Sequence, residues 1–214
     1  MVEIIAMDGP AGSGKSSVSK EVARRLGFGY LDTGAAYRAL SWAVTEGKLQ
    51  LPDASFRDFE YEISLDPNNF WVKSFGVDVT DAIRLPRISE NVSKVASVPA
   101  VRNYMKGLTR SLVETSGRSG VVVEGRDITT VVAPDAKVRI LLTADEAVRL
   151  DRRANELTPE QLNTLKAQLQ DRDAADSKIV DFMTAADGVT LVDSTNLNFE
   201  ETVDAVLSVI REQQ

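Results

Sequence analysis

The sequence predicts an α/β protein: a parallel sheet with helices on both faces. Three observations carry that reading. Short strand-like apolar runs alternate along the chain with stretches of helical spacing. The first run, Val2 to Met7, passes through a glycine-rich loop straight into a helical stretch. The unusual polar clusters DGPAGSGKSS, DTGAAYR, EGRD, TADE and DST all follow strand-like runs, at the carboxyl ends where such sheets bind ligands.

The elements follow in order. Val2 to Met7 reads as a buried strand, and Lys15 to Leu26 as a helix stopped by Gly27. Tyr30-Leu31-Asp32 is a short strand, and Gly34 to Glu46 a helix ending at Gly47. Phe59, Tyr61, Ile63 and Leu65 then alternate with polar residues, as in a half-exposed strand. Asp66-Pro67-Asn68-Asn69 is a turn, with short strands at Phe70 to Val72 and Gly76 to Val79. Residues 48–85 therefore read as a small β-rich insert. Helical spacing returns at Ile88, Val92 and Val95, and again after Pro99 at Val101, Met105, Leu108 and Leu112. Gly120 to Val123 and Val138 to Leu142 are strands. Asp145 to Leu157 is a helix with acidic residues in its first turn. Thr158-Pro159-Glu160-Gln161 starts another, carrying Leu162, Leu165 and Leu169. Val189 to Val192 is the last strand, and Asn198 with Glu201 opens the last helix.

The bulk properties narrow the function. At 214 residues the chain suits one large domain, or one core carrying insertions. It lacks histidine and cysteine, so histidine acid–base chemistry, Cys/His zinc sites and disulfides are excluded. A net charge of −7 disfavours binding to a nucleic acid polymer, so an anionic ligand must meet a local basic pocket. With no secretory leader and no long apolar run, a cytoplasmic protein away from membranes is expected.

Gly9, Pro10, Ala11, Gly12, Ser13, Gly14, Lys15 and Ser16, followed by Ser17, fit GxxxxGK[ST], the P-loop. Backbone N–H groups of such a loop cradle phosphates, the lysine reaches the β- and γ-phosphates, and the hydroxyl binds Mg2+. The expected ligand is ATP, with Ser16 as the metal-binding side chain. Arg38, Arg126, Arg149, Arg152, Arg153 and Arg172 lie near several strand ends. Arg149, Arg152 and Arg153 share one helix face, and Asp145 is spaced for a surface ion pair with Arg149. Beside a P-loop such arginines suit transfer between two anions, which needs cationic stabilisation more than acid–base groups. A phosphate acceptor needs no strong base because its second pKa is ≈6. An alcohol acceptor would draw on a carboxylate such as Asp32 or Asp127.

DGPAGSGKSS, LDTGAAYR, DVTDAIR, SKVASVPAVR, EGRD, TVVAPDAKVRILL and RDAADS occur in the order seen in bacterial cytidylate kinases, and the chain resembles that family over nearly its whole length. The resemblance implies the P-loop nucleoside monophosphate kinase fold, a five-stranded parallel sheet flanked by helices. It implies ATP-dependent phosphorylation of CMP, with dCMP as second acceptor, by a chain acting as a monomer. The core would be residues 1–47, 86–151 and 179–214, with residues 48–85 an insert of the monophosphate-binding region and 152–178 a helical lid.

By the same resemblance Arg38, Arg126 and Arg172 grip the acceptor phosphate, and Ser93, Arg102 and Asp127 read cytosine with Thr33 in the same pocket. Asp176 meets the ribose, and Arg149, Arg152 and Arg153 surround ATP and the transferring group. Lys15, Arg126, Arg152 and Arg172 are the catalytic set, and Asp193-Ser194-Thr195 approaches the adenine. A carboxylate suits the exocyclic amine of cytosine and repels the oxygen that uracil presents there. Plain readings compete: Asp32 and Thr33 as a helix cap with Arg38 on the surface, Arg126-Asp127 as a turn, Ser93 and Arg102 as surface residues. Lys178 stands nearest the place of a second family arginine, and Glu124 where many relatives have aspartate. UMP, AMP or shikimate as acceptor, or an ATP-binding switch module, are the rival functions.

Overall fold

The computed structural model describes residues 2–51, 54–89, 91–154 and 181–213. In chain order the elements are β1 (Glu3–Asp8), α1 (Lys15–Leu26), β2 (Gly29–Asp32) and α2 (Thr33–Thr45). The insert contributes β3 (Tyr61–Ile63), β4 (Val72–Ser74) and β5 (Val77–Asp78). Then come α3 (Pro86–Ser89), α4 (Val92–Ala96), α5 (Pro99–Glu114), β6 (Gly120–Gly125), β7 (Val138–Thr143), α6 (Glu146–Ala154), β8 (Thr190–Asp193) and α7 (Phe199–Gln213). Short 3-10 turns occupy Ala54–Asp58 and Ala82–Arg84, and one π-helical turn occupies Ile128–Val132. Among the described residues no helix is long and apolar enough to cross a membrane.

The sheet is parallel, in the order β2-β6-β1-β7-β8. Strand side chains alternate between two apolar layers, as the pleat dictates. Ala6, Leu31, Val121 and Val123 face the layer made with α2, α5 and the insert. Ile5, Met7, Tyr30, Val122, Ile140 and Leu142 face the layer made with α1 and α7. Both faces are covered, which is why these strands read as continuous apolar runs. Register brings the carboxyl ends together: Asp8 lies opposite Gly125 and Leu141, and Asp32 opposite Glu124.

Local chemistry sets the helix ends. Gly27 caps α1 in the left-handed region at φ 67°, with the N–H of Phe28 reaching the Ala23 carbonyl at 2.9 Å. Asn198 and Glu201 form a reciprocal capping box at α7: Glu201 N–H to Asn198 Oδ1 at 3.0 Å, Asn198 N–H to Glu201 Oε2 at 2.8 Å.

The insert departs from its expected form. One alternating strand was expected across Phe59 to Leu65, but ladder pairing is confined to Tyr61–Ile63. Phe59 closes the preceding 3-10 turn onto Phe56, and the Leu65 carbonyl accepts instead from Tyr30 N–H at 2.9 Å, stitching the insert to the edge of the main sheet. β4 and β5 join through Phe75-Gly76, both at positive φ, a two-residue hairpin. The helix expected from Thr158 lies outside the described residues.

Candidate active site

The P-loop passes beneath two other segments with no room for side chains. A Cβ on Gly9 would stand 2.2 Å from the Leu142 carbonyl oxygen. A Cβ on Gly12, at φ +78°, would stand 2.7 Å from the Arg149 carbonyl oxygen. Three guanidinium groups hold the loop's carbonyls. Arg126 Nη1 donates to Gly9 at 2.9 Å, Arg149 Nη1 to Ala11 at 2.9 Å, and Arg152 Nη1 to Ser13 at 3.3 Å. A solvated arginine face on α6 with an Asp145–Arg149 surface pair does not describe Arg149, which is 7% exposed and turned onto the loop. Arg152 also donates to Ser194 Oγ at 3.0 Å and to the Ser194 carbonyl at 2.8 Å, so it ties α6 to the end of β8.

Behind Lys15 lies Glu124, 2% exposed, at the end of β6. Its Oε1 accepts from Ser16 Oγ at 2.6 Å and from the Tyr30 hydroxyl at 3.2 Å, and its Oε2 lies 3.9 Å from Lys15 Nζ. Burial pushes this carboxyl above the usual range and Asp32 pushes it further, while Lys15, Ser16 and Arg38 pull the other way. A hydroxyl and a buried carboxylate side by side are hard oxygen donors that fit Mg2+. One or two protein oxygens suffice for Mg2+ when phosphates and water complete its shell. Among the described residues no group of three acidic side chains forms a metal cluster of its own.

Asp32 does two jobs. Its Oδ1 caps α2 by accepting from Ala35 N–H at 3.0 Å, and its Oδ2 accepts from Arg38 Nη2 at 2.6 Å. The cap is therefore real, yet Arg38 is not a surface residue: its Nε is buried and finds no acceptor among the described residues. Thr33 Oγ1 donates to the Glu124 carbonyl at 2.8 Å. That approach requires Gly125, where a Cβ would lie 2.6 Å from Thr33 Oγ1. Arg102 from α5 donates through Nη2 to Asp127 at 2.6 Å.

These groups line two adjoining cavities. One lies against the P-loop from Ala11 to Val18, with Arg38, Arg84, Arg126 and Arg152 on its walls. The other begins at Lys15 and Ser16 and continues through Arg38 and Arg126 to Tyr37, Arg102 and Asp127. One end of the second cavity is cationic; the other offers a donor–acceptor pair. Thus Lys15, Ser16, Thr33, Arg38, Arg102, Arg126 and Asp127 come together as expected. Ser93 does not join them: it sits on α4 beside Val92, which lines the cavity, but is not itself a lining residue. Asp193 and Thr195 pair with each other, Thr195 Oγ1 to Asp193 Oδ1 at 2.6 Å, in the connection after β8. Arg172, Asp176, Lys178 and the side chain of Arg153 lie outside the described residues.

Three contributors escaped the sequence reading. Asp8, buried at the end of β1, accepts from Ile128 N–H at 2.9 Å, Thr129 N–H at 2.8 Å and Thr129 Oγ1 at 2.6 Å, so it holds the turn that carries Arg126 and Asp127. Its only signal was an acidic residue ending an apolar strand. Arg84, in the motif DVTDAIR, reaches the P-loop cavity from the insert. Phe182 packs on Arg126, and nothing in its neighbourhood marked it.

Comparison with known proteins gives consistent results. A family model described as cytidylate kinase matches residues 5–212. A cytidylate kinase of Cutibacterium acnes is 42% identical over 215 residues, spanning 97% of this chain and 95% of its own. One of Streptomyces avermitilis is 40% identical over 217 residues, spanning 99% and 94%. A crystal structure of an uncharacterized protein from Eubacterium ventriosum shares the fold with a TM-score of 0.52 at 11% identity, over 98% of both chains.

Proposed function

This chain belongs to the cytidylate kinase family, and we propose from that premise which residues perform its reaction. The enzyme phosphorylates CMP with ATP. An oxygen of the CMP phosphate attacks the γ-phosphorus of ATP, the bond from that phosphorus to the β–γ bridging oxygen breaks, and ADP and CDP result. The acceptor oxygen is already ionised at neutral pH, so no general base is needed.

We assign ATP to the P-loop cavity and CMP to the adjoining one. Lys15 sits at their junction, and Arg126 lines both. Lys15 and Arg126 spread the developing negative charge, and Arg38 binds the acceptor phosphate. Arg38 is suited to this because its buried Nε awaits an acceptor. Arg102 and Asp127 read cytosine: Asp127 accepts from the exocyclic amine, and Arg102 donates to the ring nitrogen and carbonyl. Thr33 stands beside them. Arg152 is placed against the P-loop cavity wall, and Arg149 supports the loop itself. Arg172, Arg153 and Asp176 keep the roles that the family resemblance implies. Mg2+, when bound with ATP, neutralises charge on its phosphates, and Ser16 with Glu124 would hold it. The insert at residues 48–85 and the lid at 152–178 are assigned to exclude water. dCMP is assigned as second acceptor, and the enzyme is proposed to act in the cytoplasm as a monomer.

The observation that carries this reading is the continuous cavity from Lys15 to the Arg102–Asp127 pair. Its test is ADP release with CMP, dCMP, UMP, AMP or shikimate, and with no acceptor. CMP and dCMP should drive turnover, with UMP far behind. Equal ADP release with no acceptor would contradict the assignment and favour an ATPase or switch.

A further inference from the structure

We propose that Tyr30 is a positioning residue for the Mg2+ site, acting through Glu124. The sheet puts these two side chains on one face. Tyr30 of β2 lies opposite Val122 of β6, and Glu124 comes two residues later. Tyr30 and Val122 both face the layer made with α1 and α7. From that diagonal the Tyr30 ring spans to the carboxyl, and its hydroxyl donates to Oε1 at 3.2 Å. Tyr30 is 4% exposed and Glu124 2%, so the bond lies out of water, where a donor to a carboxylate counts most.

Oε1 is a shared acceptor. It takes the Ser16 hydroxyl as well, at 2.6 Å, so donors from two elements, α1 and β2, converge on one oxygen. Among the described residues, the carboxyl's hydrogen bonds and ion pairs are these two and Lys15. The last torsion of a glutamate is broad and roughly two-fold, so Ser16 alone would fix the carboxylate plane weakly. A second donor on the same oxygen sets that torsion and gives the two oxygens separate tasks. Oε1 takes the hydroxyls, and Oε2 stays on the side of Lys15, 3.9 Å from Nζ. Ser16 spends its proton on Glu124 and has its lone pairs to offer a cation. Ser16 lines both cavities, so the direction of that proton bears on the metal carried with the nucleotide. Tyr30 is itself anchored by the insert. Its N–H donates to the Leu65 carbonyl at 2.9 Å, and Phe70 packs on its ring with centroids 6.0 Å apart and planes at 52°. The insert therefore reaches the Ser16–Glu124 pair through this side chain.

This inference rests on the assignment of Mg2+ to Ser16 and Glu124, and the test separates the two. In the full chain, Tyr30→Phe removes the hydroxyl and keeps the ring, while Tyr30→4-aminophenylalanine puts an N–H donor in its place. Calorimetry measures ADP affinity with Mg2+ and in a chelator, and Tm is followed alongside. Tyr30→Phe should cut the Mg2+-dependent gain in ADP affinity about threefold to tenfold, with affinity in the chelator within about twofold of the parent. Tyr30→4-aminophenylalanine should restore the gain. In a Glu124→Ala background, Tyr30→Phe should change nothing further. A parental Mg2+ gain in Tyr30→Phe, or a loss that is equal in the chelator and follows Tm, would mean that Tyr30 only fills its layer, and the inference falls. It falls also if the amine donor restores nothing. A parental gain in Glu124→Ala would instead overturn the assignment of Mg2+ to this pair, and the inference with it.

Discussion

Arg102 and Asp127 meet at 2.6 Å on the wall of the cavity that begins at Lys15, one from α5 and the other from the turn after β6. Each satisfies the other across the cavity wall. Burial pushes the Asp127 carboxyl up, and Arg102 holds it down. A cytosine that donates to one and accepts from the other replaces that pairing without leaving either group orphaned. Asp127→Ala is therefore expected to raise KM for CMP about tenfold to a hundredfold, with KM for ATP nearly unchanged. Asp127→Asn, whose amide can donate to the uracil oxygen, should raise the UMP-to-CMP ratio of kcat/KM. Steady-state kinetics with each nucleotide varied in turn checks both.

The hydrogen bond from Ser16 to the buried Glu124 carboxyl gives a second expectation. Glu124→Gln keeps the shape and removes the charge beside Lys15, so folding should persist while the metal–nucleotide site weakens. Activity at limiting Mg2+ should drop about tenfold to a hundredfold and recover in part as Mg2+ is raised. Titrating Mg2+ at saturating CMP distinguishes this from a loss that Mg2+ does not relieve.

Asp8 carries a stability signature. Burial raises its proton affinity above the unfolded value of 3.8, against the lowering effect of its bonds to Thr129 and Ile128. The folded state thus binds this proton more tightly than the unfolded chain. Its contribution to stability is fullest below the unfolded value and declines as pH rises through the folded one. Asp8→Asn should remove that decline. It should also cost about 1–3 kcal/mol, since an amide turns a donor toward one of the three donors that Asp8 now accepts from. Denaturant unfolding at several pH values measures both effects.

Gly125→Ala tests the close approach that seats Thr33. The new methyl would lie 2.6 Å from Thr33 Oγ1 and 2.7 Å from Ile128 Cδ1. Relief requires the Thr33 hydroxyl and the Ile128 side chain, beside Arg126 and Asp127, to give way, at a cost of about 1–3 kcal/mol. Tm should fall and KM for CMP should rise together. An unchanged Tm would show that these side chains yield freely.

Much of this was legible in the sequence because it rests on local rules. The P-loop glycines, the Gly27 stop and the Asn198–Glu201 cap each follow from backbone chemistry within a few residues. The site residues at strand ends were legible because parallel register aligns those ends. What was hidden depends on long-range packing. Glu124 and Ser16 are 108 positions apart, and Asp8 and Thr129 are 121. The α6 spacing alone gives Arg149 a surface ion pair with Asp145, because that pattern does not reveal that the P-loop covers it; only the family resemblance puts it at ATP. The alternation at Phe59 to Leu65 suggested a longer strand because periodicity is blind to which carbonyl Tyr30 will claim.

The central claim is that ATP and CMP lie end to end in two adjoining cavities that meet at Lys15. Its most direct measurement is calorimetric titration with a bisubstrate analogue joining adenosine and cytidine through five phosphates. One molecule should bind per chain, prior saturation with either ATP or CMP should suppress it, and both Lys15→Ala and Arg102→Ala should weaken it. An analogue displaced by ATP alone, and indifferent to Arg102→Ala, would contradict the account.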